Sequence, residues 1–210
     1  FGEPTDELYL SRAGVMDQVH AVAGALDVIG QKYEIIAIAD LKELVKVLSC
    51  RKEKCVFNLI EEFVGDIEQA CYVPALCKAY GKNCTGNGTP AILLAQNKIR
   101  SKAVLDHYGL RCPKGVVLTG GDISPLGQLP AGRYIFKPAC CDASEGITMD
   151  SILELPGGYD KARTLAEKLF MQFGQSIVVE QYIAARELNV SVFQVKRKPK
   201  VVAVAEIDFS

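Results

Sequence analysis

The sequence predicts an α/β protein in two parts, and three observations predict it. Helical stretches and short apolar strands alternate over residues 1–95. Beyond them, strands predominate around a single long helix, in a mixed α+β pattern. The apolar content of 49% with 23% charged residues, in a chain of 210, is enough for real cores and excludes general disorder.

Taken in order, Val15, Val19, Val22, Leu26 and Ile29 recur at three- and four-residue steps, so 12–29 reads as an amphipathic helix closing at Gly30. Tyr33 to Ala39 is rich in β-branched residues and reads as a strand. Asp40 is placed to cap a second helix running to Ser49. Cys55-Val56-Phe57-Asn58-Leu59-Ile60 reads as a second strand, and 67–80 as a helix stopped at Gly81. Such alternation implies a parallel sheet covered on both faces, with ligands beyond the carboxyl ends of its strands. Asn58, Glu61 and Glu62 therefore fall near a candidate site.

Gly86-Asn87-Gly88 reads as a turn, after which Thr89 as cap and Pro90 in first position open a helix. That helix continues to Gly109 with a break near Asn97. Then Val116 to Leu118, Tyr134 to Lys137 and Ile177 to Val179 read as strands, with a helix over 160–173. Val190 to Phe193 and Val201 to Phe209 form a further pair joined by the basic turn at 196–200.

Bulk properties narrow the function. The net charge of −1 with no basic stripe argues against nucleic acid as the main partner. No apolar run approaches the roughly 20 residues that span a bilayer, so no membrane role is expected. The first residues carry no secretory signal, which makes the expected location cytoplasmic. The eight cysteines lack CxxC spacing and read as buried free thiols rather than as a zinc site or disulfide framework.

Lys137 is the most informative residue. It lies in Arg133-Tyr134-Ile135-Phe136-Lys137-Pro138, where a buried ammonium group costs several kcal/mol unless an anion meets it. A loop of small residues follows, 139–146, whose backbone N–H groups can approach a phosphate. Two readings stand: a nucleotide-phosphate site, or a strand-end lysine reaching back to solvent.

Several segments, in order, resemble the ATP-grasp ligases, most closely the D-alanine–D-alanine ligase group. Residues 56–62 resemble the strand-end motif of that group's first domain, and 80–88 its Gly-rich turn. Gln96-Asn97-Lys98 with Ser101-Lys102 is similar to its "DK…K" helix start, and 109–113 to the "GLPVP" after it. Phe136-Lys137-Pro138 and Ser144-Glu145-Gly146-Ile147 resemble its "VKP…SxGI" strand and phosphate loop. Val179 to Ile183 with Arg186-Glu187 resembles "VEEYIxGRE", and 205–210 "GEIxF".

The resemblance implies a Rossmann-like pre-ATP-grasp domain over 1–95 and an α+β ATP-grasp domain over 96–210, incomplete at its C-terminus. It implies an ATP-dependent carboxylate–amine ligase acting through an acyl-phosphate, with ATP and Mg²⁺ as cofactors and amino acids as substrates. Lys98 and Lys137 would contact the phosphates, and Ser144 with the amides around Gly146 would fold over them. Glu180, Gln181, Tyr182 and Ile183 would hold the adenine, and Glu187 the ribose. Glu7 aligns with a glutamate that binds the substrate's ammonium group, so Glu7 and Ser144 are the catalytic candidates. Dimers are common in the group, so a homodimer is among the expected assemblies.

Three departures qualify the implication. The chain begins after the group's first strand, and it ends at Ser210, before the metal-binding segment, so Mg²⁺ ligands are expected beyond it. Asn58 to Glu62 stands where the group has a His-Gly pair, and the phosphate loop carries Asp142 and Glu145. These changes favour, as alternatives, a ligase with a different amino-acid or peptide substrate or a non-catalytic nucleotide-binding module.

Overall fold

A computed structural model of the chain describes residues 9–63, 67–141, 145–196 and 198–208. Helix α1 (Tyr9–Val28) matches the expected 12–29 at its C-terminal end. Its stripe of Val15, Val19, Val22 and Leu26 is half-buried, while Ile29 lies exposed past the helix. Asp40 caps α2 (Leu41–Cys50), its carboxylate accepting from Glu43 N at 2.7 Å.

The parallel sheet of the first part is much smaller than the alternation predicts. It consists of β1 (Cys55–Val56) and β2 (Asn83–Cys84), paired in parallel over two residues each. The 33–39 segment forms no ladder among the described residues, and Ile35 and Ile36 are exposed. An apolar, β-branched run becomes a strand only when another strand completes its hydrogen bonds. The expected strand over 55–60 likewise ends at Val56.

The helix expected over 67–80 is a 3₁₀ turn (Ile67–Cys71) leading into α3 (Tyr72–Ala79). Leu44 and Leu48 of α2 pack with Phe63, Val73 and Cys77 to form the first core, with Val56, Ile60 and Cys84 at its margin. Lys82 is nearly buried, and its ammonium group donates to Arg51 O at 2.9 Å and Glu53 O at 2.8 Å. It thereby satisfies carbonyls just past the end of α2, where a cation also suits the helix dipole.

The break near Asn97 is present. Helix α4 (Thr89–Ala95) ends there and α5 (Lys98–His107) begins, with Asn97 Oδ1 accepting from Ile99 N and Arg100 N, both at 3.0 Å. The α4 cap differs from expectation: Gly88 is the N-cap, and the Thr89 hydroxyl donates instead to Cys71 O at 2.6 Å. The stronger partner was across the fold, not in the helix.

The second part is built on a four-stranded antiparallel sheet in the order β3-β6-β4-β5. Its strands are β3 (Gly115–Leu118), β4 (Gly132–Pro138), β5 (Ile152–Leu155) and β6 (Ile177–Gln181). Strand β5 was not anticipated, because four residues after a 3₁₀ turn carry too short a pattern to read. Helix α6 (Tyr159–Phe173) sets Ala162, Ala166 and Leu169 against one sheet face, where Leu118, Leu126, Tyr134, Phe136, Ile177 and Val179 complete the core. Small residues at the contact let the helix lie close to the strands.

The last two strands, β7 (Glu187–Val195) and β8 (Lys198–Ile207), form the expected hairpin. Arg186 and Glu206 join at its base in a two-pronged pair at 2.7 and 2.6 Å. The hairpin is exposed along both strands, including Val190, Val192, Phe193, Val202 and Val204.

Candidate functional site

Strand alternation decides which side chains meet. On β4, Tyr134, Phe136 and Pro138 turn toward α6 and are buried, so Ile135 and Lys137 face the other way. In the β4–β6 register, Lys137 stands opposite Val178 and Ile135 opposite Glu180. Lys137 and Glu180 are thus diagonal neighbours on the same face, within reach of long side chains. Lys137 Nζ donates to Glu180 Oε1 at 2.6 Å.

Helix α5 covers that region. Lys98 and Lys102, four residues apart, lie on one side of the helix. Lys102 Nζ donates to Glu180 Oε2 and to Pro113 O, the latter at 2.5 Å. Glu180 therefore sits between two ammonium groups, with only 10% of its side chain exposed. Burial alone would push its carboxyl up. The hydrogen bonds and charges of Lys102 and Lys137 outweigh that and hold it below the ordinary carboxylate range.

Room for this arrangement comes from Gly115, which pairs with Glu180 across the β3–β6 ladder. A Cβ there would lie 2.0 Å from Val179 O and 2.7 Å from Glu180 Cα. Only a residue without a side chain allows β3 to approach β6 so closely.

Lys98 fixes the start of the loop after β4. Its backbone N–H donates to Ala139 O at 2.9 Å, and its ammonium group donates to Cys141 O. Gln175 supports the same segment, Oε1 accepting from Cys140 N and Nε2 donating to Cys141 Sγ at 3.3 Å. Burial pushes the Cys141 thiol up to about 11, so it is a packed, protonated group. Where the chain is described again, Gly146 has φ +71°, and a Cβ there would meet the Phe173 ring at 2.6 Å.

The structure joins Lys137 to Glu180 across β4 and β6, while Lys98, on the N-terminal turn of α5, is engaged with the segment just after β4. Gln181 and Tyr182 follow at the end of β6, donating from their backbone N–H groups to Lys114 O at 2.8 Å and Arg133 O at 2.9 Å. The Arg133 guanidinium lies over the Tyr182 ring, 4.9 Å from its centroid. Ile183 is exposed beyond the strand, and Glu187 is exposed at the start of β7. Glu7 and Ser144 lie outside the described residues, as do Asp142 and Ala143. Asn58 serves its own loop, donating from N to Thr85 Oγ1 at 3.0 Å and accepting from Ile60 N at 3.1 Å. Glu61 accepts from Gln18 at 2.9 Å.

Lys102 enters the sequence reading only within the helix-start motif and is given no role there. A signal for it is its place one helical turn from Lys98. The thiol expectation also needs correcting. All eight cysteines are free, but Cys50 and Cys55 are exposed, while Cys71, Cys77 and Cys141 are buried.

A helix thus lies on one face of a four-stranded antiparallel sheet, with paired lysines and a glutamate on the other. The comparisons find a similar fold in D-alanine–D-alanine ligases. A D-alanine–D-alanine ligase of Caulobacter sp. (strain K31) is 30% identical over 187 residues, which is 89% of this chain and 55% of that protein. The D-alanine–D-alanine ligase structure from Bacillus anthracis superposes with a TM-score of 0.66 over 93% of this chain and 67% of that one, at 14% identity. The same organism's enzyme complexed with ATP gives 0.64 over 85% and 56%, at 18% identity. These structural likenesses are likenesses of fold. No protein-family model matches the chain. The chain is similar in sequence to D-alanine–D-alanine ligases over 89% of its length, and it spans about half the length of the curated relatives it matches.

Proposed function

We propose that this chain supplies the nucleotide-binding part of an ATP-dependent carboxylate–amine ligase of the D-alanine–D-alanine ligase type. On this reading, residues 1–95 are the pre-ATP-grasp domain and 96–210 the ATP-grasp domain. The observation that carries it is the Lys137–Glu180–Lys102 arrangement between α5 and the β4–β6 face turned away from α6. Folding alone gives no reason to place three charges there. A ligand bearing phosphates at one end and a hydrogen-bond donor at the other gives one.

Each residue then has a task. Lys98 and Lys137 neutralise the triphosphate as point charges. Glu180 accepts from the adenine amine, beside Gln181, Tyr182 and Ile183. Glu187 accepts from the ribose hydroxyls. Ser144 and the Gly146 amides close over the phosphates, and Glu7 binds the substrate's ammonium group. In the reaction, one substrate's carboxylate attacks the γ-phosphorus and ADP leaves. The second substrate's free amine then attacks the acyl carbon; the C–N bond forms as the C–O bond to phosphate breaks, and the amine's proton passes to the departing phosphate. The protein's contribution is positioning and charge stabilisation.

Mg²⁺, when bound, would supply charge neutralisation for the phosphates in such a reaction. The described residues do not fit it: no group of three or more His, Cys, Asp or Glu side chains is gathered among them. No described helix is long and apolar enough to cross a membrane. A cytoplasmic enzyme, with a homodimer as the assembly, fits this reading.

A second reading concerns substrate. Asn58 and Glu61 are engaged within the first part of the chain, where a His-Gly pair is expected for D-alanine. That difference favours another amino acid or a small peptide. The experiment is amino-acid-dependent phosphate release from Mg-ATP by the intact protein, across a broad panel of D- and L-amino acids, with mass spectrometry of the product. Release with D-alanine supports the first reading, and release only with other amino acids supports the second. Tight ATP binding with no release on any substrate would leave a non-catalytic nucleotide-binding module.

A further inference from the structure

The two lysines on Glu180 are not equivalent. Lys102 Nζ is held twice, by Glu180 Oε2 and by the Pro113 carbonyl oxygen at 2.5 Å. Its helix is anchored at the same end by the Asn97 cap. Lys137 Nζ has Glu180 Oε1 as its partner among the described residues, at 2.6 Å. One contact is built in, and the other can be exchanged.

Exchange is what a nucleotide demands. A triphosphate that engages Lys137 takes it from Glu180. A carboxylate with 10% of its side chain exposed, left with no cation, would take up a proton or turn away. An ionised carboxylate only accepts hydrogen bonds, whereas a protonated one also donates. The two forms therefore prefer different purines, the first a 6-amino group and the second a 6-oxo group.

Resting on the nucleotide-site reading above, we propose that Lys102 is a positioning residue for base selection. It stays on Glu180 Oε2 when phosphate draws Lys137 away, and so keeps the carboxylate in place as an acceptor for the adenine amine. Lys102 does not touch the nucleotide. It acts through Glu180.

The test is calorimetric titration of the intact protein with ATP and with inosine triphosphate, each with Mg²⁺, for wild type, K102M and K102R. Wild type is expected to prefer ATP. K102M is expected to lose about tenfold or more in ATP affinity, the cost of one charge-assisted hydrogen bond, while the inosine nucleotide changes by less than about twofold. K102R keeps a cation there and is expected to retain the preference for ATP.

A purely structural lysine would weaken both nucleotides together. An unchanged ATP-to-inosine ratio in folded K102M therefore overturns the proposal and leaves the nucleotide site standing. Should K102M not fold, K102Q, which keeps a neutral donor for Pro113 O, is read by the same ratio. Wild-type protein that binds neither triphosphate overturns the nucleotide-site reading and this proposal with it.

Discussion

Lys137 and Glu180, 43 residues apart in the chain, meet at 2.6 Å because an antiparallel ladder sets Lys137 opposite Val178. The anion that the apolar strand required is thus supplied from within the fold. The pair gives Lys137 a partner from within the fold.

Lys137→Met tests this directly. Glu180 keeps Lys102, so the melting temperature should move by only a few degrees. ATP affinity should fall roughly 10- to 100-fold, the cost of one charged hydrogen bond. A folded variant that binds ATP as wild type does would remove Lys137 from the site.

Glu180→Gln should destabilise the protein on the order of 3 kcal/mol at neutral pH, because it leaves two half-buried ammonium groups without their anion. The pH dependence follows from the lowered Glu180 carboxyl. A group depressed on folding stabilises fully above its unfolded value, and that part is lost as pH falls through the folded value. Wild-type stability should therefore decline below about pH 5 with a component that the variant lacks. Urea melts at a series of pH values measure it, and parallel curves would contradict the assignment.

Gly115→Ala should cost at least about 2 kcal/mol, since its Cβ would lie 2.0 Å from the Val179 carbonyl oxygen, a backbone atom that cannot swing aside. The strand would have to retreat from β6 and disturb Glu180. A variant with an unaltered denaturation midpoint would contradict this close approach of β3 to β6.

The thiols divide by environment. Burial raises Cys84 to about 12 and Cys141 to about 11, so neither carries appreciable thiolate at pH 7.5. Cys50 and Cys55 are exposed. Native-state alkylation followed by peptide mass mapping should label Cys50 and Cys55 first, and Cys84 and Cys141 only after unfolding. Early labelling of Cys141 would show that the loop after β4 opens readily.

Much of this was legible locally. The Asp40 cap, the break at Asn97, the strand–lysine–proline run of β4 and the terminal hairpin all depend on neighbours within a few residues. Side-chain chemistry at that range settles them. The 33–39 segment shows the limit, because its strand-like residues needed a partner that local pattern does not supply.

From the sequence alone, Lys137 stands out as a charge on an apolar strand that needs an anion or a way back to solvent, whereas Glu180 reads as a strand-end charge with no partner assigned. That the two answer each other, and that Lys102 and Pro113 O complete the set, appears only in the assembled fold. Register is the cause. Which residues oppose each other across a ladder, and which helix lies above them, follow from long-range packing that alternation within one strand leaves open.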